Sequence, residues 1–282
     1  MLTSNGHVLD ESRHRLGELR PVPERVRDDR AELWRRLRRD GYLYLPGLLD
    51  ADVVRDFRRT YFEAVAAAGL LDPATDPAAG RDSGGQVDLA VLRRILYRDV
   101  VPGDAYARFC SQPALRGWFA RLYDDPVFLH RRKIIRHVRP GERGVGTATQ
   151  AHYDLVYLRE GTDRLLSAWI PLGDCPVPRG PLIYLEGSHR VFTERERAGQ
   201  ALPAASMTAD LPRLADEHDA RWLVTGFAAG DVMVHSPYLV HASLDNTDPD
   251  GIIRLSTDIR YQRAGDPIDW RWQQHWHDLD GL

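Results

Sequence analysis

The chain has 282 residues, of which 43% are hydrophobic and 28% charged, and its formal net charge is -3. This composition excludes wholesale disorder, and the slight negative charge with acids interspersed among the arginines excludes a global field for nucleic acid. No stretch approaches the roughly 18 apolar residues of a membrane span and no apolar leader core opens the chain, so no membrane partner and a cytoplasmic location are expected.

Residues 1–23 are polar, end in a proline-containing stretch and show no sustained period, which predicts an arm. Val26, Leu33, Trp34 and Leu37 fit helical spacing among many charges, and Asp40-Gly41 ends that helix. The alternating YLYLPGLL predicts a strand over Tyr42–Leu45, closed by Pro46-Gly47, and Asp50 is placed to cap a helix around Val53–Ala68. Residues 72–87 hold Pro, Gly, Asp and Ser without period, a loop of a length often used for lids. A helical region is predicted from Leu89 to about Tyr123, interrupted near Pro102-Gly103.

From Val127 to Tyr261 the character changes to short β-rich runs: FLHRRKIIRHV, AHYDLVYL, LLSAWIPL, PLIYLE, DVMVH and IRLSTDIRYQ. Turn clusters such as PGERGVG and GDCPVPRG separate them, a pattern that suggests a sandwich or barrel. The expected architecture is mainly β with N-terminal helices, a jelly roll in one domain spanning 1–282. Its arm and helices would occupy 1–125, the catalytic core 126–265 and a terminal segment 266–282. Cys110 and Cys175 lie far apart with no CxxC spacing and read as reduced core thiols.

In AHYDLVYL, read as a strand, His152 and Asp154 are two residues apart and share a face. Two histidines and one carboxylate leave adjacent positions open on iron(II), two for a 2-oxo acid and one for dioxygen. GDVMVHSPYLVHASLDN supplies His235 and His241 as further donors, and Arg254 follows thirteen residues after His241. Arg254, Ser256, Asp258 and Arg260 share parity, so both arginines are candidates to clamp a carboxylate. Asp258 is expected to pair with Arg260, which leaves Arg254 for a ligand. Lys133, Ile135 and His137 share a face by the same period. His189 in LEGSHR is expected to make a local hydrogen bond and not to bind metal. The C-terminal WRWQQHWHDLD is expected to pack as core, although it could cover a barrel mouth, and the helix with RDDRAELWRRLRRD to present a solvated charged face.

DGYLYLPGLL, HYD, SAWIPLGD, LEGSHR, GDVMVH, LVHASLDN and RLSTDIRYQ, in this order over about residues 40–262, resemble the phytanoyl-CoA dioxygenase family of iron(II)/2-oxoglutarate oxygenases. The resemblance implies a cupin-like double-stranded β-helix with N-terminal helices. It also implies catalytic metal ligands His152, Asp154 and His241, with Arg254 on the far carboxylate of 2-oxoglutarate and Arg260 as the alternative. Ser243, Trp169 and His137 become further cosubstrate contacts. The implied reaction joins dioxygen to a small molecule or natural-product intermediate, most simply by hydroxylating a C–H bond with release of succinate and carbon dioxide. Halogenating relatives lack the carboxylate, which Asp154 supplies here. The alternatives are a non-catalytic metal-binding jelly roll and a zinc hydrolase on the same ligands, the latter having no need of Arg254 and Ser243. The loops that would select the substrate, 72–87 and 191–222, carry no interpretable motif.

Overall fold

Period-two alternation sorts the strands into two facing sheets. In the computed structural model, which describes residues 1–142, 144–202 and 206–277, the larger sheet combines β4 (Tyr42–Leu45), β5 (Val127–Leu129), β6 (Ile134–Val138), β7 (Leu166–Pro171), β10 (Val232–His235) and β12 (Arg254–Arg263). Its order is β4-β10-β7-β12-β5, with β6 paired to the first half of β12. The smaller sheet runs β11-β8-β9-β3, from β3 (Leu16–Glu18), β8 (Leu182–Leu185), β9 (Trp222–Val224) and β11 (His241–Ser243). Two short N-terminal strands, β1 (Thr3–Ser4) and β2 (His7–Val8), form a ribbon of their own. This is the double-stranded β-helix anticipated from the sequence.

Antiparallel partners point to the same side of a sheet. The registers Val234↔Leu43, Val234↔Ala168, Ile259↔Ala168 and Thr257↔Ile135 therefore define one face of the larger sheet. That face is apolar and packs on the helical layer of α1 (Arg30–Asp40), α2 (Ala51–Val65), α3 (Leu89–Ile95), α4 (Asp104–Cys110) and α5 (Pro113–Tyr123). The opposite parity, with Tyr42, Met233, Trp169, Asp258 and Arg260, looks into the barrel toward His241, Tyr184 and Leu223 of the smaller sheet. A third layer, α6 (Ser188–Arg197) and α7 (Leu211–Glu217), covers the outer face of the smaller sheet around Phe192, Leu211 and Trp222.

Several sequence expectations shift in detail. The first long helix begins at Arg30, where Asp29 caps the Glu32 amide, and Val26 belongs to a preceding 3-10 turn. The predicted arm is part of the body: β3 pairs parallel with β9, and the Val22 amide donates to the Tyr44 carbonyl. Its apolar anchors Leu9, Leu19 and Val22 are buried in three separate clusters, a spacing that leaves no hydrophobic period to read. The 72–87 loop is not a free lid. Arg58 donates to the Ala78 and Ala79 carbonyls, and Asp82 pairs with Arg139 at 2.7 Å. Cys110 and Cys175 are buried free thiols, as expected.

One acid explains why GDVMVH begins as it does. Gly230 has φ +99°, and a Cβ there would meet the Leu49 carbonyl oxygen at 2.4 Å. Buried Asp231 accepts hydrogen bonds from Tyr44 Oη at 2.8 Å and from the Gly47 and Ala228 amides, each at 2.9 Å. Removing the carboxylate orphans these donors, so Asp231→Ala should cost about 2–4 kcal/mol. A urea titration checks this: the midpoint should fall while the slope stays constant.

Candidate metal centre and cosubstrate pocket

His152 and His241 face each other across an isolated antiparallel bridge. The His152 amide donates to the His241 carbonyl at 3.1 Å, the reverse bond is 2.9 Å, and the imidazole centroids lie 4.3 Å apart. AHYDLVYL is not the strand its sequence predicted. Only the bridge at Ala151-His152 is extended, and Asp154–Tyr157 forms a 3-10 turn. Convergence survives because Tyr153, which follows the bridge, is still extended, with φ -125° and ψ 144°, and returns the Asp154 side chain to the side of His152. The three donor atoms lie within 4.8 Å of one another. Asp154 Oδ1 stands 3.8 Å from His152 Nε2 and 3.9 Å from His241 Nε2.

Local backbone sets the tautomers. His152 Nδ1 faces the Gln150 carbonyl at 2.9 Å and His241 Nδ1 the Leu239 carbonyl at 3.0 Å. A carbonyl can only accept, so both Nδ1 atoms carry the proton and both Nε2 lone pairs are free for a metal. Burial pushes both imidazoles below their ordinary pKa, His241 furthest because His152 and His235 crowd it. Burial alone would raise the Asp154 carboxyl, but the Arg260 guanidinium and the imidazoles of His235 and His241 hold it well below the usual range. Two neutral imidazoles and one carboxylate form a donor set suited to a divalent transition metal.

Asp154 is also the hub of a second set of contacts that the sequence reading missed. Ser167 Oγ donates to Oδ2, and Arg260 Nη2 donates to Oδ1 at 3.0 Å. Arg260 therefore pairs with Asp154, not with Asp258 as expected. The two β12 side chains extend side by side, and the guanidinium reaches across the barrel with its cation over the Trp272 ring at 4.8 Å. Ser167 lies two residues before Trp169 on β7 and shares its inward face, a period-two signal present in the sequence. His235 is fully buried with its Nε2 3.5 Å from Asp154 Oδ2, and neither ring nitrogen has a hydrogen-bond partner.

The remaining predicted residues fall into two groups. Arg254 is 2% exposed, donates from Nη1 to the Gly180 carbonyl and has an unpartnered Nε. It lines a 410 Å³ cavity with Arg136, Thr149 and Gln150. Ser243 Oγ accepts from the Thr149 amide at 2.8 Å and so braces that wall. Trp169 lies deeper between the sheets, edge-on to Phe227 at 5.0 Å. His137 borders the same cavity, although its register partner is Leu255, on the helix-facing side, and its Nδ1 lies 2.6 Å from Tyr61 Oη. The neighbouring parity of β6 puts Arg136 on the inner face. His189, buried on α6, meets the Arg38 carbonyl at 3.1 Å, a bond to a distant segment and not the local one expected for it. Trp272 packs with Ile134, Leu158 and Leu165, while Trp276 lines the cavity; Asp278, Leu279 and Asp280 of the same motif lie outside the described residues.

The phytanoyl-CoA dioxygenase (PhyH) family profile matches residues 37–254. The chain belongs to the phytanoyl-CoA dioxygenase family. This family member is 29% identical over 249 residues to the 1-deoxypentalenic acid 11-beta-hydroxylase of Streptomyces exfoliatus, a match covering 84% of this chain and 82% of that one. It is 27% identical over 169 residues to the ectoine dioxygenase of Stutzerimonas stutzeri, covering 57% and 51%. In three dimensions the family member resembles the carbocyclase SnoK of nogalamycin biosynthesis, described as non-haem and alpha-ketoglutarate dependent, with TM-score 0.58, 23% identity and coverage of 89% and 88%. EctD of S. alaskensis with bound Fe superposes with TM-score 0.56 at 19% identity, covering 95% and 86%. Among the described residues no helix is long and apolar enough to cross a membrane.

For this family member, His152→Ala and His241→Ala should each abolish stoichiometric divalent-metal binding, because each removes one of three donors. His235→Ala should retain it. Anaerobic metal titration followed by calorimetry checks the ranking, and metal loss in the His235 variant alone would move the distal ligand to His235.

Proposed function

We propose that the protein is an iron(II)- and 2-oxoglutarate-dependent oxygenase that hydroxylates a C–H bond of a small molecule, as in natural-product metabolism. The observation that carries this reading is the pairing of a His152, Asp154 and His241 donor set with a buried, under-partnered arginine in the adjoining cavity. A guanidinium buried without an anion is costly, and a dicarboxylate cosubstrate relieves that cost with paired charge-assisted bonds. A zinc hydrolase has no need of it.

His152, Asp154 and His241 would hold the iron, and Arg254 would hold the far carboxylate of 2-oxoglutarate. Iron(II), when bound, supplies dioxygen activation with the 2-oxo acid as reductant, so that one oxygen atom ends in the hydroxylated product and the other in succinate, with carbon dioxide released. The chain's own residues orient and insulate that chemistry. The carbonyls of Gln150 and Leu239 fix the two imidazoles, Ser167 and Arg260 fix the carboxylate, and Trp169, Tyr184 and Phe227 keep water from the barrel interior.

Anaerobic addition of iron(II) and 2-oxoglutarate should give a weak visible charge-transfer band, and air should convert 2-oxoglutarate to succinate in its presence. Absence of the band in the parent protein, with tight zinc binding instead, would remove this reading. Because Asp154 occupies the position a halide would need, chloride or bromide should yield no halogenated product by mass spectrometry. Arg254→Ala should raise the apparent 2-oxoglutarate constant by about 10- to 100-fold, the loss expected for a charge-assisted contact of about 1.5–3 kcal/mol. Arg260→Ala, whose guanidinium serves Asp154, should leave that constant within a few-fold. Titration of both variants through the charge-transfer band decides between the arginines.

A further inference from the structure

We infer that the cavity beside the metal site takes an apolar carbon skeleton bearing a carboxylate, and that Arg136 holds that carboxylate. The inference rests on the oxygenase reading above and specifies its substrate class. On β6 the register Arg136↔Ser256 puts Arg136 on the inner face, between Val138, opposite Arg254, and Ile134, opposite Asp258. It is more exposed than Arg254 and lines the same cavity. Its guanidinium lies over the Trp276 ring at 5.6 Å, and no carboxylate of the described residues is within ion-pair distance. Other arginines of this acid-rich chain find acids readily: Arg139 pairs with Asp82, Arg59 with Asp76 and Arg263 with Asp125.

Charge balance points the same way. The inner face of β6 and β12 carries Arg136, Arg254 and Arg260, and the acids beside them are Asp154 and Asp258. Arg260 is answered by Asp154, and Arg254 would be answered by 2-oxoglutarate. With a divalent ion and a dianionic cosubstrate in place, three arginines against two aspartates leave one positive charge, which a monoanion closes. The cavity walls supply the rest of the specificity. Leu89, Leu92, Leu96 and Trp276 offer an apolar side, while Thr149 and Gln150 are polar. Gln150 also carries the carbonyl that orients His152, so this wall of the cavity adjoins the metal site. A volume of 410 Å³ falls in the small-molecule range of roughly 300–1,000 Å³ and exceeds what a five-carbon diacid fills.

The test uses full-length protein loaded anaerobically with iron(II) and 2-oxoglutarate. Calorimetry measures cyclohexanecarboxylate, 1-adamantanecarboxylate and dodecanoate, each against its carboxamide. At least one acid should bind the parent about 10-fold or more tighter than its amide. Arg136→Gln should erase that preference, Arg136→Lys should keep part of it, and both variants should hold 2-oxoglutarate within a few-fold of the parent. A parent that prefers no acid over its amide overturns the inference, as does a preference that survives in Arg136→Gln. Loss of 2-oxoglutarate binding in Arg136→Gln also overturns it, by assigning Arg136 to the cosubstrate. Failure of the oxygenase reading registers separately, as absence of the charge-transfer band in the parent, while calorimetry still reports whether Arg136 selects acids.

Discussion

A carboxylate sealed inside a barrel must be paired or it gives up its charge, and Asp154 is sealed almost completely. Much of the architecture meets that demand. Arg260 reaches across from β12, Ser167 donates from β7, and His235 closes in from β10, so three strands of the larger sheet converge on one side chain. Arg260 is itself buried and is shielded by Trp272 from the C-terminal segment. The metal ligand, the sheet and the end of the described chain thus belong to one electrostatic unit, in which loss of any cation leaves a charge without a counterpart.

The same strands do a second task with their other parity. Leu43, Val234, Ala168, Ile259 and Ile135 are apolar because they meet the helices, and the alternating residues are free to be Tyr42, His235, Ser167, Arg260 and Arg136 because they do not. Chemistry and stability are separated by a single residue step. A register slip of one would put the arginines against the helical core, so the pattern that buries the apolar face also specifies where the polar residues point.

This separation explains what could be read from the sequence. The strands, the helical layer and the jelly roll follow from periodicity and turn residues, the pairing of His152 with Asp154 from their spacing, and His241 over His235 from the family resemblance. The parity of β12 was legible too, since Arg254 and Arg260 do share a face. Parity alone cannot say which face of β6 looks inward, and His137, which borders the cavity, also meets Tyr61. Two other site readings failed where tertiary contact decides. Proximity in sequence suggested Asp258 for Arg260, although a long guanidinium takes the better partner across the barrel. AHYDLVYL has strand composition, yet its second half is a 3-10 turn anchored by the Leu155 amide on the Pro237 carbonyl, a long-range bond with no local signature.

The bridge between His152 and His241 joins segments almost ninety residues apart, and each imidazole takes its orientation from a carbonyl two residues before it. Such a contact carries a large loop-closure cost, which must be met by the rest of the fold. A nascent or partly opened chain consequently has scattered imidazoles and no three-donor seat. For a protein that unites a redox-active ion with dioxygen, this dependence is protective: the oxidising centre is assembled only inside a finished enclosure, where the bond nearest to it belongs to the bound molecule and not to the chain.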